Sequence, residues 1–184
     1  DNDFKKIDIW LTHSSKEKKY LREKGLTSFI IPYPKKNKTY NSIIDKKYSD
    51  FIDYLNIFKS KNNKKLILSS QRDSSFSSNK WVPKKQKNPK YLVDLYRESI
   101  KQNLPYTLVI CGVRRHWIVR ELEKNKLPFI YIGERPNISD DYLQKLPREV
   151  VLEITKSCDL SIVTSSWEGG PLCIFESLEV GKAT

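Results

Sequence analysis

Two glutamates, Glu168 and Glu176, stand eight positions apart in "SSWEGGPLCIFES", with Gly169, Gly170 and Pro171 between them. Carboxylates accept hydrogen bonds in pairs, which suits the vicinal hydroxyls of a sugar. Pro171 fits the first position of a helix, where its missing N–H costs nothing. A helix starting at Pro171 and Leu172 would turn free backbone N–H groups outward, and the two glycines before it would let an anion approach closely. Hydroxyl acceptors beside a phosphate seat point to a nucleotide sugar.

The elements that must hold these residues alternate in type. "KIDIWLTHSS" predicts a strand, "KEKKYLREKG" a charged helix closed at Gly25, and "TSFIIPYP" a second strand ended by prolines. Residues 35–47 form a basic connector, and 48–60 space Phe51, Ile52, Leu55 and Phe58 at helical intervals. From "KKLILSS" onward, four short apolar runs alternate with helices: "KKLILSS", "PYTLVICG", "PFIYIG" and "CDLSIVTSS" as strands, and "PKYLVDLYRESIKQN", "VRRHWIVRELEKN", "SDDYLQKLPREVVLEITKS" and "GPLCIFESLEVG" as helices. The third helical stretch breaks near Pro147. One helix face should carry Leu92, Val93, Leu95, Tyr96 and Ile100, and residues 71–90 are expected to be an irregular basic loop.

Such alternation implies an α/β fold, a doubly wound parallel sheet with helices on both faces. Ligands on such sheets bind beyond the carboxyl ends of the strands, so loops 71–90, 112–116, 133–138 and 164–171 should share one rim. Trp81, Trp167, His116, Gly133 and Arg135 then become rim residues, with Gly133 and Arg135 near a nucleotide base. The expected organisation is an end of a preceding domain or linker region over 1–34, a connector and helix over 35–64, and a Rossmann-like ligand-binding domain over 65–184, incomplete at its C-terminus.

Several classes fall away. No apolar run approaches the ~20 residues needed to span a bilayer, and "DNDFKK" lacks the apolar core of a secretory signal. No G-x-G-x-x-G follows the first strand, and no G-x-S-x-G marks a hydrolase nucleophile. Cys111, Cys158 and Cys173 lack zinc-binding spacings and read as buried free thiols, so no metal site is expected. The charge is uneven: 24 of the 34 Lys and Arg residues lie in 1–103 with 11 of the 22 acidic residues, so the net +12 sits entirely in that half. That imbalance suggests an anionic partner, or a lysine-rich composition alone.

The E-x7-E arrangement of "WEGGPLCIFE", with "CDLSIVTSS" before it and "SLEVGKAT" after it, resembles the donor-binding segment of glycosyltransferase family 4, retaining enzymes with the two-domain GT-B architecture. "KLILSSQR", "KNPKYLVDLY", "YTLVICG" and "PFIYIGER" resemble the preceding segments of that family's C-terminal domain, and "LTHSSKEKKYLREKGLTSFIIPYP" resembles the last β-α-β of its N-terminal domain. The resemblance implies that Arg72 and Lys87 neutralise a donor diphosphate, that Glu176 holds the ribose hydroxyls, and that Glu168 with the backbone near Gly169 and Gly170 holds the transferred sugar. Fourteen residues separate Arg72 from Lys87, more than the family pattern leaves, so Lys80, Lys84 or Lys85 could equally be the phosphate lysine.

The expected activity is therefore hexosyl transfer with retention in glycan biosynthesis, from a UDP- or GDP-sugar substrate, without metal or other cofactor. The expected location is cytoplasmic, with peripheral attachment to an anionic membrane face following from charge alone. The chain holds no methionine, so it is expected to be an excised donor-binding half, inactive by itself and lacking the acceptor-binding domain. Two other classes compete: a nucleic-acid-binding module using the basic half, disfavoured by scattered charge and the lack of a recognition signature, and a nucleotide-sugar epimerase of the same architecture.

Overall fold

In the first β-α-β segment, Ser14 caps the helix that follows it: its hydroxyl accepts from the Glu17 N–H at 3.1 Å. The helix α1 (Ser15–Glu23) ends because Gly25 takes a left-handed φ of 71°, so that Leu26 N–H reaches back to the Leu21 carbonyl at 3.0 Å. Strands β1 (Trp10–Thr12) and β2 (Ser28–Ile30) flank it and pair in parallel, Trp10 opposite Ser28 and Thr12 opposite Ile30. This is the β-α-β that the sequence predicts.

The computed structural model describes residues 9–12, 14–31, 46–133, 146–168 and 171–184. The chain divides into two units, Asp1–Thr39 with Glu168–Pro171, and Tyr40–Trp167 with Leu172–Thr184.

The second unit opens with α2 (Lys46–Asn62), then β3 (Lys65–Ser69), a hairpin of β4 (Ser74–Ser77) and β5 (Lys80–Pro83), a 3-10 turn at Lys85–Lys87 and α3 (Pro89–Lys101). It continues through β6 (Tyr106–Cys111), α4 (His116–Lys124), β7 (Phe129–Ile132), α5 (Arg148–Ser157), β8 (Leu160–Ser161) and α6 (Leu172–Glu179). The four apolar strands form one parallel sheet in the order β7-β6-β3-β8. An isolated parallel bridge joins Leu160 to Ala183, adding a fifth position beyond β8. The order reverses between β3 and β8, and there the doubly wound fold opens its ligand crevice.

Both faces of the sheet are covered. On β6, Leu108 and Ile110 pack with Leu92, Val93 and Tyr96 of α3 and Ile118, Val119 and Leu122 of α4. The alternate residues Val109 and Cys111 pack with Leu55 of α2 and Val150 and Ile154 of α5. Each fully buried leucine or isoleucine stabilises the fold by ~2 kcal/mol relative to exposure. Leu95, expected on the buried face of α3, is 42 % exposed; that face is carried by Pro89, Leu92, Val93 and Tyr96. Among the described residues no helix is long and apolar enough to cross a membrane.

Residues 71–90 are ordered, contrary to the expected irregular loop. The hairpin pairs Phe76 with Trp81, and Trp81 is buried with its ring stacked on His116 at 3.8 Å and 2°. His116, 3 % exposed, and Trp81 are therefore packing residues beneath the hairpin and not rim contacts. Sequence periodicity misses this because a four-residue hairpin strand is too short to show it. Cys111 and Cys158 are buried as expected, whereas Cys173 is only half-buried.

Candidate functional site

The crevice between the carboxyl ends of β3 and β8 is knitted by side chains. Beyond β3 the chain reads Ser70-Gln71-Arg72-Asp73-Ser74, and beyond β8 it reads Thr164-Ser165-Ser166-Trp167. Gln71 is buried and makes three bonds: its amide donates to Thr164 Oγ1 at 3.1 Å and to the Lys87 carbonyl at 3.3 Å, and its Oε1 accepts from Ser165 Oγ at 2.9 Å. Thr164 donates to the same Lys87 carbonyl at 3.0 Å. Ser166 N–H donates to the Gln86 carbonyl at 2.9 Å, and Gln86 Nε2 to the Trp167 carbonyl at 3.2 Å. The 3-10 turn carrying Lys87 is thus stitched to both strand ends. The left-handed Asn88, φ 45°, then turns the chain into α3 at Pro89.

Arg72 is exposed between buried neighbours Gln71 and Asp73, and makes no hydrogen bond or ion pair among the described residues. Asp73 is 1 % exposed and faces the equally buried Arg115, NH1 to Oδ2 at 3.0 Å, while Arg115 NH2 donates to Ser69 Oγ at 2.8 Å. Ser74 donates to Asp73 Oδ1 at 2.6 Å and accepts from Trp117 N–H at 2.9 Å, and Asp73 also accepts from the Ile118 backbone. These acceptors satisfy the exposed N–H groups that begin α4. The α4 start is therefore occupied by the chain's own carboxylate. Burial pushes the Asp73 carboxyl up to about 6, outweighing Arg115 and the Ser74 and Ile118 bonds, which pull it down.

At the end of β6, Gly112 adopts φ +92°, and a Cβ there would stand 3.0 Å from the Ser70 carbonyl oxygen. Only glycine lets the turns after β3 and β6 approach so closely. Gly133, at the end of β7, has φ +119°.

Glu176 is the fifth residue of α6, and its side chain is 15 % exposed. It faces Arg148 at the start of α5, with Nε 3.8 Å from Oε1, and Arg148 also holds Glu179 at 2.5 Å. Burial raises the Glu176 pKa above the ordinary glutamate value, Arg148 draws it down and Glu179 raises it again. Burial pushes the Cys111 thiol up to about 12; Arg115 pulls it down, and Glu176 and Cys173 push it further up.

Glu168 and Pro171 are half-buried and group with the β1-α1-β2 unit, while Leu172 opens α6 exposed to solvent. Gly169, Gly170 and Arg135 lie outside the described residues. The structure thus brings Arg72 and the Lys87 main chain to one crevice. Sequence reasoning missed Gln71, Asp73, Arg115 and Arg148. The only signal was polar residues directly after apolar strands in "SSQRD" and "CGVRR".

A family model described as glycosyl transferases group 1 matches residues 56–184. No curated protein sequence matches the chain. Among solved structures, the chain is similar to a sucrose-phosphate synthase from Thermosynechococcus elongatus, with TM-score 0.64 and 17 % identity over 96 % of this chain and 40 % of that one. It is also similar to the trehalose-6-phosphate synthase OtsA, with TM-score 0.60 and 15 % identity over 94 % of this chain and 42 % of that one. A third similar structure, described as trehalose-6-phosphate from E. coli bound with UDP-2-fluoro glucose, has TM-score 0.58 and 14 % identity over 94 % and 43 % of the two chains. These neighbours share the GT-B fold, and the chain spans about 40 % of the first one's length.

Proposed function

Because this chain belongs to the glycosyl transferases group 1 family, we propose that it binds a nucleoside-diphosphate sugar and presents the sugar for transfer to an acceptor. Arg72 and Lys87 neutralise the diphosphate, Glu176 accepts from the ribose hydroxyls, and Glu168 with the Gly169–Gly170 backbone accepts and donates to the transferred sugar. The bond from the anomeric carbon to the phosphate oxygen breaks, one to the acceptor oxygen forms on the same face, the acceptor hydroxyl's proton passes to the departing phosphate oxygen, and configuration is retained. Negative charge grows on the departing nucleoside diphosphate, and cations fixed in advance stabilise it with no reorganisation during the reaction.

The observation that carries this reading is the bonded crevice at the switch point, where Gln71 ties the arginine-bearing turn after β3 to the Lys87 turn and to Thr164 after β8. One fold neighbour is bound with UDP-2-fluoro glucose, which makes UDP the first nucleotide to try. The acceptor-binding half is a further partner in this reading. An anionic membrane surface is another, resting on uneven charge alone; equal partitioning onto neutral and anionic vesicles at low salt would remove it.

Titration calorimetry of the chain with UDP, GDP and ADP, with Glu176→Ala alongside, tests the proposal. Saturable binding of one nucleotide, weakened about tenfold or more by the substitution, is expected. A folded chain that binds none of the three, or a Glu176→Ala variant that binds as well as wild type, would count against it.

A further inference from the structure

Among the described residues Arg72 makes no hydrogen bond or ion pair that would aim it, yet both of its neighbours are locked. Gln71 is held by Thr164, Ser165 and the Lys87 carbonyl. Asp73 is held by Arg115 and the Ile118 N–H, and Ser74 by the Trp117 N–H of α4. Arg115 itself is fully buried at the turn after β6 and reaches back to Ser69 in the last position of β3.

We propose that the buried Arg115–Asp73 ion pair is a positioning device for Arg72, holding the turn after β3 so that the exposed guanidinium stands toward a donor diphosphate. The proposal rests on the donor-site reading above. A buried ion pair contributes little net stability, because removing two charges from water offsets their attraction. Arg115 makes its own case: its NH1 lies 3.0 Å from Asp73 Oδ2 as a charge contact, yet neither atom makes a hydrogen bond and the buried Nε makes none either. An apolar pair of similar volume would hold the core as well. What it would not reproduce are the hydrogen bonds that the two charged groups make to either side, Arg115 NH2 to Ser69 Oγ at 2.8 Å and Ser74 Oγ to Asp73 Oδ1 at 2.6 Å, which tie β3, the Arg72 turn and the turn after β6. The main chain of Arg72 is fixed at Asp73, so its side chain starts from one place.

UDP and GDP are titrated into wild type, Arg72→Ala, the double variant Asp73→Leu/Arg115→Met, and the triple variant combining them, with each variant's melting followed by circular dichroism. The double variant is expected to melt cooperatively and to bind the nucleotide about tenfold more weakly. Arg72→Ala should lose a similar factor, and the triple variant no more than either, because an absent guanidinium needs no aim. Should the apolar double variant fail to fold, Asp73→Asn/Arg115→Gln supplies the same cycle with neutral hydrogen-bonding groups. Full affinity in the folded double variant overturns the proposal, as does a triple variant whose losses multiply to about a hundredfold. A wild type that binds neither nucleotide overturns the donor-site reading first and this proposal with it.

Discussion

Gln71 and Thr164, on the turns that leave β3 and β8, are joined by a side-chain hydrogen bond of 3.1 Å and share the Lys87 carbonyl as acceptor. Three segments far apart in sequence meet at that one carbonyl. The crevice at the switch point is therefore closed at its base by polar groups with no slack among them. Buried polar groups that are fully paired give rigidity, and half-paired ones are costly.

Replacing Gln71 by Leu removes the amide and leaves Ser165 without its acceptor and Thr164 Oγ1 without its donor. A loss of about 1–3 kcal/mol in unfolding free energy is expected. Urea unfolding measures it, and Thr164→Val should cost less because Gln71 still reaches the Lys87 carbonyl. Equal stability of wild type and Gln71→Leu would mean that water replaces the amide.

Gly112→Ala tests the close approach of two turns. The new methyl would meet the Ser70 carbonyl oxygen at 3.0 Å, on a backbone held at φ +92°. Strain of about 1–3 kcal/mol follows. Gly25→Ala, with φ +71° and open space around its Cβ, should cost less. The ranking of the two melting temperatures decides whether the carbonyl contact matters beyond the backbone angle.

Asp73 imposes a pH dependence of known sign. Its carboxyl is raised in the folded chain from 3.8 to about 6, so between those values the native state holds more protons than the unfolded state. Stability therefore falls as pH rises through that window and levels off above it, by roughly 3 kcal/mol at most. Glu176 is raised as well and acts in the same direction. Asp73→Asn, although less stable throughout, should lose most of that slope. Denaturant midpoints taken across the window show it.

The alternating apolar runs made the parallel sheet readable from sequence, because a strand buried on both faces must be apolar at every position, as in "LVIC" and "FIYI". The ordered hairpin at 74–83 was not readable: its strands, "SSFS" and "KWVP", are too short to show an apolar alternation, and Trp81 is held by stacking on His116, 35 residues away. For the same reason, the pairing of Asp73 with Arg115 is invisible without the fold, since either residue alone looks like ordinary surface charge. The candidate residues Arg72, Lys87, Glu168 and Glu176 were legible through the resemblance of their surroundings to a family. Their supports Gln71, Thr164 and Arg148 were not, because support depends on which turns the sheet order brings side by side.

Glu176 gives a pH dependence to binding and not only to stability. A carboxylate accepts from two hydroxyls only when ionised, and burial lifts this one above the ordinary glutamate value despite Arg148. Nucleotide affinity should fall on acidification before an ordinary glutamate, near pH 4.3, would titrate. Glu176→Gln should bind more weakly at neutral pH and show no such fall. Arg148→Met removes the pull of the guanidinium, so its affinity should fall at higher pH than in wild type. An affinity independent of pH from neutrality down to about 4.3 would remove Glu176 from the site.

The choice among four lysines rests on main-chain placement. Lys80 lies on β5 and Lys85 is exposed on the 3-10 turn, while the Lys84 N–H is tied to the Asp73 carbonyl at 2.6 Å. Lys87 is half-buried, and of the four its carbonyl is the one that receives both Gln71 and Thr164 at the crevice. A fixed backbone reduces the entropy lost when its side chain closes on a phosphate, so Lys87→Ala should weaken UDP or GDP binding by about tenfold. Lys80→Ala and Lys85→Ala should change it less than twofold, as exposed charges acting through screened solvent do. Raising the salt concentration should erase those small differences and leave most of the Lys87 effect. If all three alanine variants lose affinity equally, and salt removes the whole effect, the lysines act as a diffuse field and Lys87 has no special place.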